Sequence, residues 1–135
     1  MRKGFTLIEL LVVVALIGIL STLVLANLNS ARERSRDVQR KSDLRSIQTA
    51  LRLYYNDKGG YPAVFPTAGS PWIVSGNTYM SVFPADPLSS QSYRYTYVDG
   101  DNYTIDSCLE NKSDEKCVTD VAFCQETGCK YSVKP

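Results

Sequence analysis

The sequence predicts an α+β fold: a long N-terminal α-helix, half of it transmembrane and half amphipathic, packed on a small antiparallel β-sheet head with a disulfide-stapled C-terminal region. Three observations carry this. Residues 5–28 form an apolar run interrupted only by Thr6, Glu9, Ser21, Thr22 and Asn27; residues 27–57 hold neither Pro nor Gly; and after Gly59 the chain turns to Tyr, Pro, Gly and Ser, with four cysteines in the last 28 residues. At 135 residues there is room for one compact domain behind an extended N-terminal segment.

As a helix, the 24 residues 5–28 reach about 36 Å, enough for a bilayer core. Arg2 and Lys3 precede the run and favour a cytoplasmic N-terminus with the remainder exported. Glu9 is out of place in an ordinary anchor, since an acid at the centre of a membrane helix costs about 2.5 to 3.5 kcal/mol on insertion scales. Only four residues from Phe5, it sits near the interface and costs less, but a lone helix gives it nothing in return. A secretory signal is the competing reading, with Val24 and Ala26 spaced for cleavage before Asn27.

The leader "MRKG" followed by "FTLIELLVVVALIGIL" resembles the class III signal of type IV prepilins and of the pseudopilins of type II secretion systems. The resemblance implies a leader at residues 1–4, cleaved after Gly4 by a prepilin peptidase that also methylates the new amino terminus at Phe5. It further implies a filament-core helix at 5–28, retained rather than removed. Glu9 then has a partner, the amino terminus of a neighbouring subunit. Such a charge-assisted contact is short and strong in a low dielectric, and it sets the stagger between subunits. Major pilins commonly carry Pro where this chain has Ala26, so local melting of the helix after Gly18 is not implied.

Residues 29–58 are expected to be the amphipathic half of the same helix, running from about Thr6 to about Asn56. Val38, Leu44, Ile47, Leu51 and Tyr54 form its apolar row, and Lys58, Gly59, Gly60 and Pro62 stop it. Residues 32–58 hold eight basic and four acidic side chains, a net of +4, while residues 59–135 hold five and nine, a net of −4. Arg32, Arg36 and Arg40 recur at four-residue spacing, where like charges repel by a few tenths of a kcal/mol per pair. A solvated helix face is one reading; a surface covered by the acidic heads of neighbouring subunits is the other. Nucleic-acid binding is disfavoured, because no aromatic residues interleave the arginines.

The head is expected over residues 59–135. Five of the six prolines fall in "GGYPAVFPTAGSPWIVSGNTYMSVFPADPLSSQS", which reads as a long connecting region of turns with Trp72 as its packed anchor. "YRYTYVDGDNYTID" is a hairpin signal. A three-residue loop, Asp99 to Asp101, pairs Tyr97 with Tyr103, Tyr95 with Ile105 and Arg94 with Asp106, leaving one face free to cover the apolar row of the helix.

Cys108, Cys117, Cys124 and Cys129 are separated by eight, six and four residues, without the C-x2-C pairs or the His of common zinc sites. Behind a membrane-type segment they read as disulfides formed in an oxidising compartment. Of the three possible pairings, closure of neighbours, Cys108 to Cys117 and Cys124 to Cys129, is the expectation. Asp99, Asp101 and Asp106 are weak calcium candidates, since they depart from the EF-hand pattern at Tyr103 and Thr104; no cofactor is expected otherwise.

With no His and no Gly-rich phosphate loop, an enzyme is not expected. The resemblance implies a structural subunit of a pilus-like filament, a type II secretion pseudopilin or related pilin. Its partners are then other pilin-like subunits, the prepilin peptidase, an inner-membrane assembly platform and membrane lipid, with the head outside the cytoplasm. The alternative is a small secreted or anchored disulfide-bonded binding domain behind an ordinary signal.

Overall fold

A computed structural model describes residues 4–125 and 128–135, with the side chains of residues 23–27 excepted. The chain divides into two compact units, Met1–Arg34 and Ser35–Pro135. Helix α1 (Leu7–Lys58) contributes to both and ends two residues beyond the expected Asn56.

In the first unit, α1 runs without a break past Gly18, where a Cβ would meet nothing within 4 Å. Ser21 Oγ donates to the Ile17 carbonyl at 2.7 Å and Thr22 Oγ1 to that of Ile19 at 2.8 Å. Both hydroxyls are thus satisfied inside an apolar helix, where they would otherwise need water. The apolar side chains point outward all round: Leu7 is 88 % exposed and Leu20 still 61 %. Among the described residues no helix is long and apolar enough to cross a membrane. Described side chains of the expected span reach only to Thr22 before residues 23–27 intervene, and the span over 5–28 stands on sequence hydropathy.

In the second unit, Leu44, Ile47 and Leu51 are fully buried and Tyr54 packs against them, as the periodicity requires. Val38 does not belong to that row; it is 68 % exposed, and the buried side chains of this part of the helix are instead Asp37 and Arg40. Gly59 closes α1 in the left-handed region, at φ 72°, with its N–H donating to the Tyr55 carbonyl at 2.7 Å.

Among the described residues six strands follow: β1 (Trp72–Val74), β2 (Asn77–Met80), β3 (Arg94–Asp99), β4 (Asn102–Leu109), β5 (Val118–Thr119) and β6 (Cys129–Val133). Strands β1 and β2 form a hairpin inside the proline-rich region, turning through Ser75 and Gly76, both at positive φ. Trp72 is buried there and stacks on Tyr54 with ring centroids 5.3 Å apart. The other four strands form an antiparallel sheet in the order β3-β4-β6-β5. The expected pairs form, Arg94 opposite Asp106, Tyr95 opposite Ile105 and Tyr97 opposite Tyr103, but the expected three-residue loop is corrected: the register shifts between Tyr97 and Asp99, so Asp99 pairs with Asn102 and Gly100 and Asp101 make the turn. Tyr103, Ile105 and Leu109 join Leu44, Ile47 and Leu51 in one core.

The disulfides are Cys108–Cys124 and Cys117–Cys129, which corrects the expectation that neighbours close on each other. The sheet explains why. Strand β6 returns between β4 and β5, so Cys129 lies opposite Leu109 on one side and Thr119 on the other, facing the core. Cys117, two residues before Thr119, also packs against that core. Cys108 is one residue removed from Leu109 in the strand, hence on the opposite face of the sheet, where Cys124 meets it. Sheet face, not sequence separation, selects the partner.

Candidate functional site: the helix start and the helix clasp

The first turn of α1 is capped by its own side chains. Thr6 donates to Glu9 Oε2 from its backbone N–H (3.1 Å) and from its hydroxyl (2.8 Å), and the Glu9 N–H donates back to Thr6 Oγ1 at 3.3 Å. The Leu10 N–H reaches the Thr6 carbonyl at 3.3 Å, opening the helical ladder. This reciprocal arrangement is a capping box, and it supplies Glu9 with a local role that the sequence reading missed. The signal was present as "TLIE", a Thr followed three residues later by Glu ahead of an apolar run. A carboxylate at this place also lies at the positive end of the helix dipole.

Phe5, just before the cap, is 81 % exposed. At Gly4 a Cβ would meet nothing within 4 Å. Packing therefore does not demand glycine there. Residues 1–3 of the expected leader lie outside the described residues.

A second constellation lies in the Ser35–Pro135 unit. The Arg40 side chain is fully buried and makes four hydrogen bonds. Nε and Nη2 fork onto the two oxygens of Asp86, each at 2.9 Å, while Nη1 donates to Asp37 at 2.8 Å and to Glu110 at 2.7 Å. Arg36 forks onto Glu110 from the next turn of the helix. Asp37 in turn accepts the backbone N–H groups of Glu110 (2.9 Å) and Asn111 (2.8 Å), and Asp86 accepts that of Leu88 at 2.9 Å. Lys41 pairs with Asp114, and Asp43 accepts the Tyr93 hydroxyl at 2.7 Å.

One face of the helix is thereby clasped to the loop before β3 and to the segment after β4. Burial acts to lower the Arg40 pKa, but hydrogen bonds and charge from Asp86, Glu110 and Asp37 outweigh it and hold the guanidinium well above its usual value. The Arg36 fork holds the Glu110 carboxyl below its ordinary value, against a smaller opposing contribution from burial. Neither earlier reading of the arginine row survives for Arg36 and Arg40. Arg40 is fully buried against carboxylates of its own head, and Arg36, still 30 % exposed, forks onto one of them.

The weak calcium candidates do not converge. Asp99 accepts the Asp101 N–H (2.9 Å) and the Asn102 side-chain amide (3.0 Å), and Asp101 accepts the Tyr55 hydroxyl (2.7 Å). Asp106 is buried elsewhere, taking Arg94 at 2.8 Å and Ser132 at 2.6 Å. Among the described residues no group of three or more His, Cys, Asp or Glu could hold a metal ion.

A long N-terminal helix on antiparallel sheets, beginning in a capped, outward-facing apolar turn and ending in a two-disulfide tail, defines a pilin-like protein. Residues 1–25 match the family model described as a prokaryotic N-terminal methylation motif. The chain is 33 % identical over 118 residues to type II secretion system core protein G of Vibrio cholerae, covering 78 % of this chain and 79 % of that protein. It is 33 % identical over 106 residues to the core protein G of Pseudomonas aeruginosa, covering 70 % and 72 %. The type IV major pilin protein PilA of Myxococcus xanthus is 39 % identical over 60 residues, 44 % of this chain and 27 % of the pilin. No solved structure matches. The chain belongs to the type II secretion system core protein G family.

Proposed function

We propose that this chain is a structural, non-enzymatic subunit of a type IV pilus-like filament, a pseudopilin of type II secretion. In this reading residues 5–28 hold it in the inner membrane with the head outside the cytoplasm. Prepilin peptidase cleaves after Gly4 and methylates Phe5, and an assembly platform then passes the subunit into a filament built from its own kind or with other pilin-like subunits. The observation that carries the reading is the start of α1: side chains from Leu7 to Leu20 expose apolar surface on every side, and the one charge among them, Glu9, is fixed at the first turn. Apolar surface so extensive calls for lipid or protein around it. A ring of identical helices supplies the protein, and the Phe5 amine of a neighbour supplies the counter-charge.

The cap with Thr6 lets Glu9 wait in a single subunit without an ionic partner. In the filament, truncating the carboxylate strands the neighbour's amine in an apolar bundle, a loss of about 3 to 5 kcal/mol per contact. Glu9→Ala is therefore expected to leave cleavage and methylation intact while abolishing filaments in a shearing assay. Wild-type filament yield from that variant would remove the argument.

A further inference from the structure

Within the Ser35–Pro135 unit the back of α1 carries Val38, Arg45, Thr49, Arg52 and Asn56, an exposed stripe at helical spacing. Thr49 turns its hydroxyl back to the Arg45 carbonyl at 3.0 Å, leaving two guanidinium groups as the charges of the stripe. Seven residues apart, they stand about 10 Å from each other along the axis. Arg36, Arg40 and Lys41 are consumed by Asp37, Asp86, Glu110 and Asp114, whereas Arg45 and Arg52 are in no ion pair among the described residues.

The same unit ends in an acidic tip. Asp99 and Asp101 flank Gly100 in the β3–β4 turn, both exposed. The turn is tied to the end of α1 by the Tyr55 hydroxyl on Asp101 and by the Tyr61 N–H on the Gly100 carbonyl, each at 2.7 Å. These donors are neutral. The tip is rigidly held, and its negative charge is uncompensated by any ion pair among the described residues.

We propose that the Arg45 and Arg52 stripe is the docking site for the acidic turn, Asp99 and Asp101, of a second copy of this chain. Because two different patches meet, the contact is heterologous, and a heterologous contact that does not close into a ring propagates as an open helical array. Complementary charge of this kind fixes register and speeds docking more than it adds affinity. The inference rests on the filament reading and deepens it: the N-terminal helices supply cohesion, and the stripe and tip align the heads.

The test uses the full-length chain in cells that assemble its filaments. Arg45→Glu with Arg52→Glu alters exposed side chains that lack ion pairs, so the head keeps its disulfides and its stability, while sheared filament yield is expected to fall by more than about tenfold. Adding Asp99→Lys and Asp101→Lys to the same chain is expected to restore filaments. Asp101→Asn, which keeps an acceptor for Tyr55, is expected to lower yield in part. Combining Arg52→Cys with Asp101→Cys is expected to give an oxidant-dependent ladder of dimers and higher multimers on non-reducing gels. Wild-type yield from Arg45→Glu with Arg52→Glu alone, or abundant filaments without a ladder, overturns the proposal. Absence of filaments from the unaltered, methylated chain would instead overturn the filament reading beneath it.

Discussion

Replacing Arg40 with Leu is the most informative single change to the head. The guanidinium is fully buried, and it holds Asp86, whose side chain is 1 % exposed, together with Asp37 and Glu110. Leu fills part of the volume but donates nothing. Asp37 keeps two backbone N–H donors and Glu110 keeps Arg36, whereas Asp86 keeps only the Leu88 N–H. The cost therefore concentrates on Asp86 as an unpaired charge in the interior, about 3 to 5 kcal/mol when one member of a buried pair is removed. That is a large share of the roughly 5 to 15 kcal/mol by which domains are stable. Urea unfolding of the full chain in detergent, followed through Trp72, which is the one tryptophan and is buried, reads it directly: the midpoint drops with the slope unchanged. Adding Asp86→Leu removes the stranded charge, and the double variant is expected to recover much of the loss, since an apolar replacement of a whole buried pair is often neutral. A loss below about 1 kcal/mol from Arg40→Leu would mean that the clasp behaves as a solvated surface pair, and the reasoning would fail.

Non-reducing peptide mapping is expected to recover Cys108 linked to Cys124 and Cys117 linked to Cys129; peptides joining Cys108 to Cys117 would refute the sheet order. With sequence separations of 16 and 12, removal of either bridge by paired Ser substitutions is expected to cost about 3 kcal/mol on the chain-entropy scale, measured by the same urea titration. Acid should weaken the head. Glu110, Asp114 and Asp120 are each held below ordinary values of 4.5, 3.8 and 3.8, foremost by hydrogen bonds from Arg36, Lys41 and Lys130 respectively. Folded values that lie below unfolded ones give stability that is complete above the ordinary range and is lost as pH falls through the folded values. The urea midpoint is expected to fall progressively below about pH 4.5, with Arg36→Gln flattening part of the slope; a midpoint that rises on acidification would contradict these pairings.

The helix and hairpin were legible because their signals are local. Leu44, Ile47 and Leu51 repeat at helical spacing, and the parity of Tyr95, Tyr97, Tyr103 and Ile105 forces the odd register. The capping box is equally local, Thr6 and Glu9 standing three residues apart ahead of an apolar run. What could not be read depends on contacts far apart in the chain. Arg40 and Asp86 are 46 residues apart and Arg36 and Glu110 are 74 apart; no periodicity on the helix distinguishes an arginine facing solvent from one facing a carboxylate brought in by the sheet. Hydrophobicity alone places Val38 in the core, whereas the clasp of Asp37 and Arg40 occupies that level of the interface. The cysteines depend on β6 entering between β4 and β5, which spacing does not encode. The β1–β2 hairpin is short, with strands of three and four residues, so its alternation scarcely rises above the surrounding turns.

In the filament reading this helix is processed and retained rather than cut away. Intact and N-terminal mass spectrometry of the protein from native membranes tests it most directly. A chain beginning at N-methylated Phe5 is the expected result. A chain beginning near Asn27 would mean a secreted disulfide-bonded domain, in which Glu9 and its cap have no place in the mature protein.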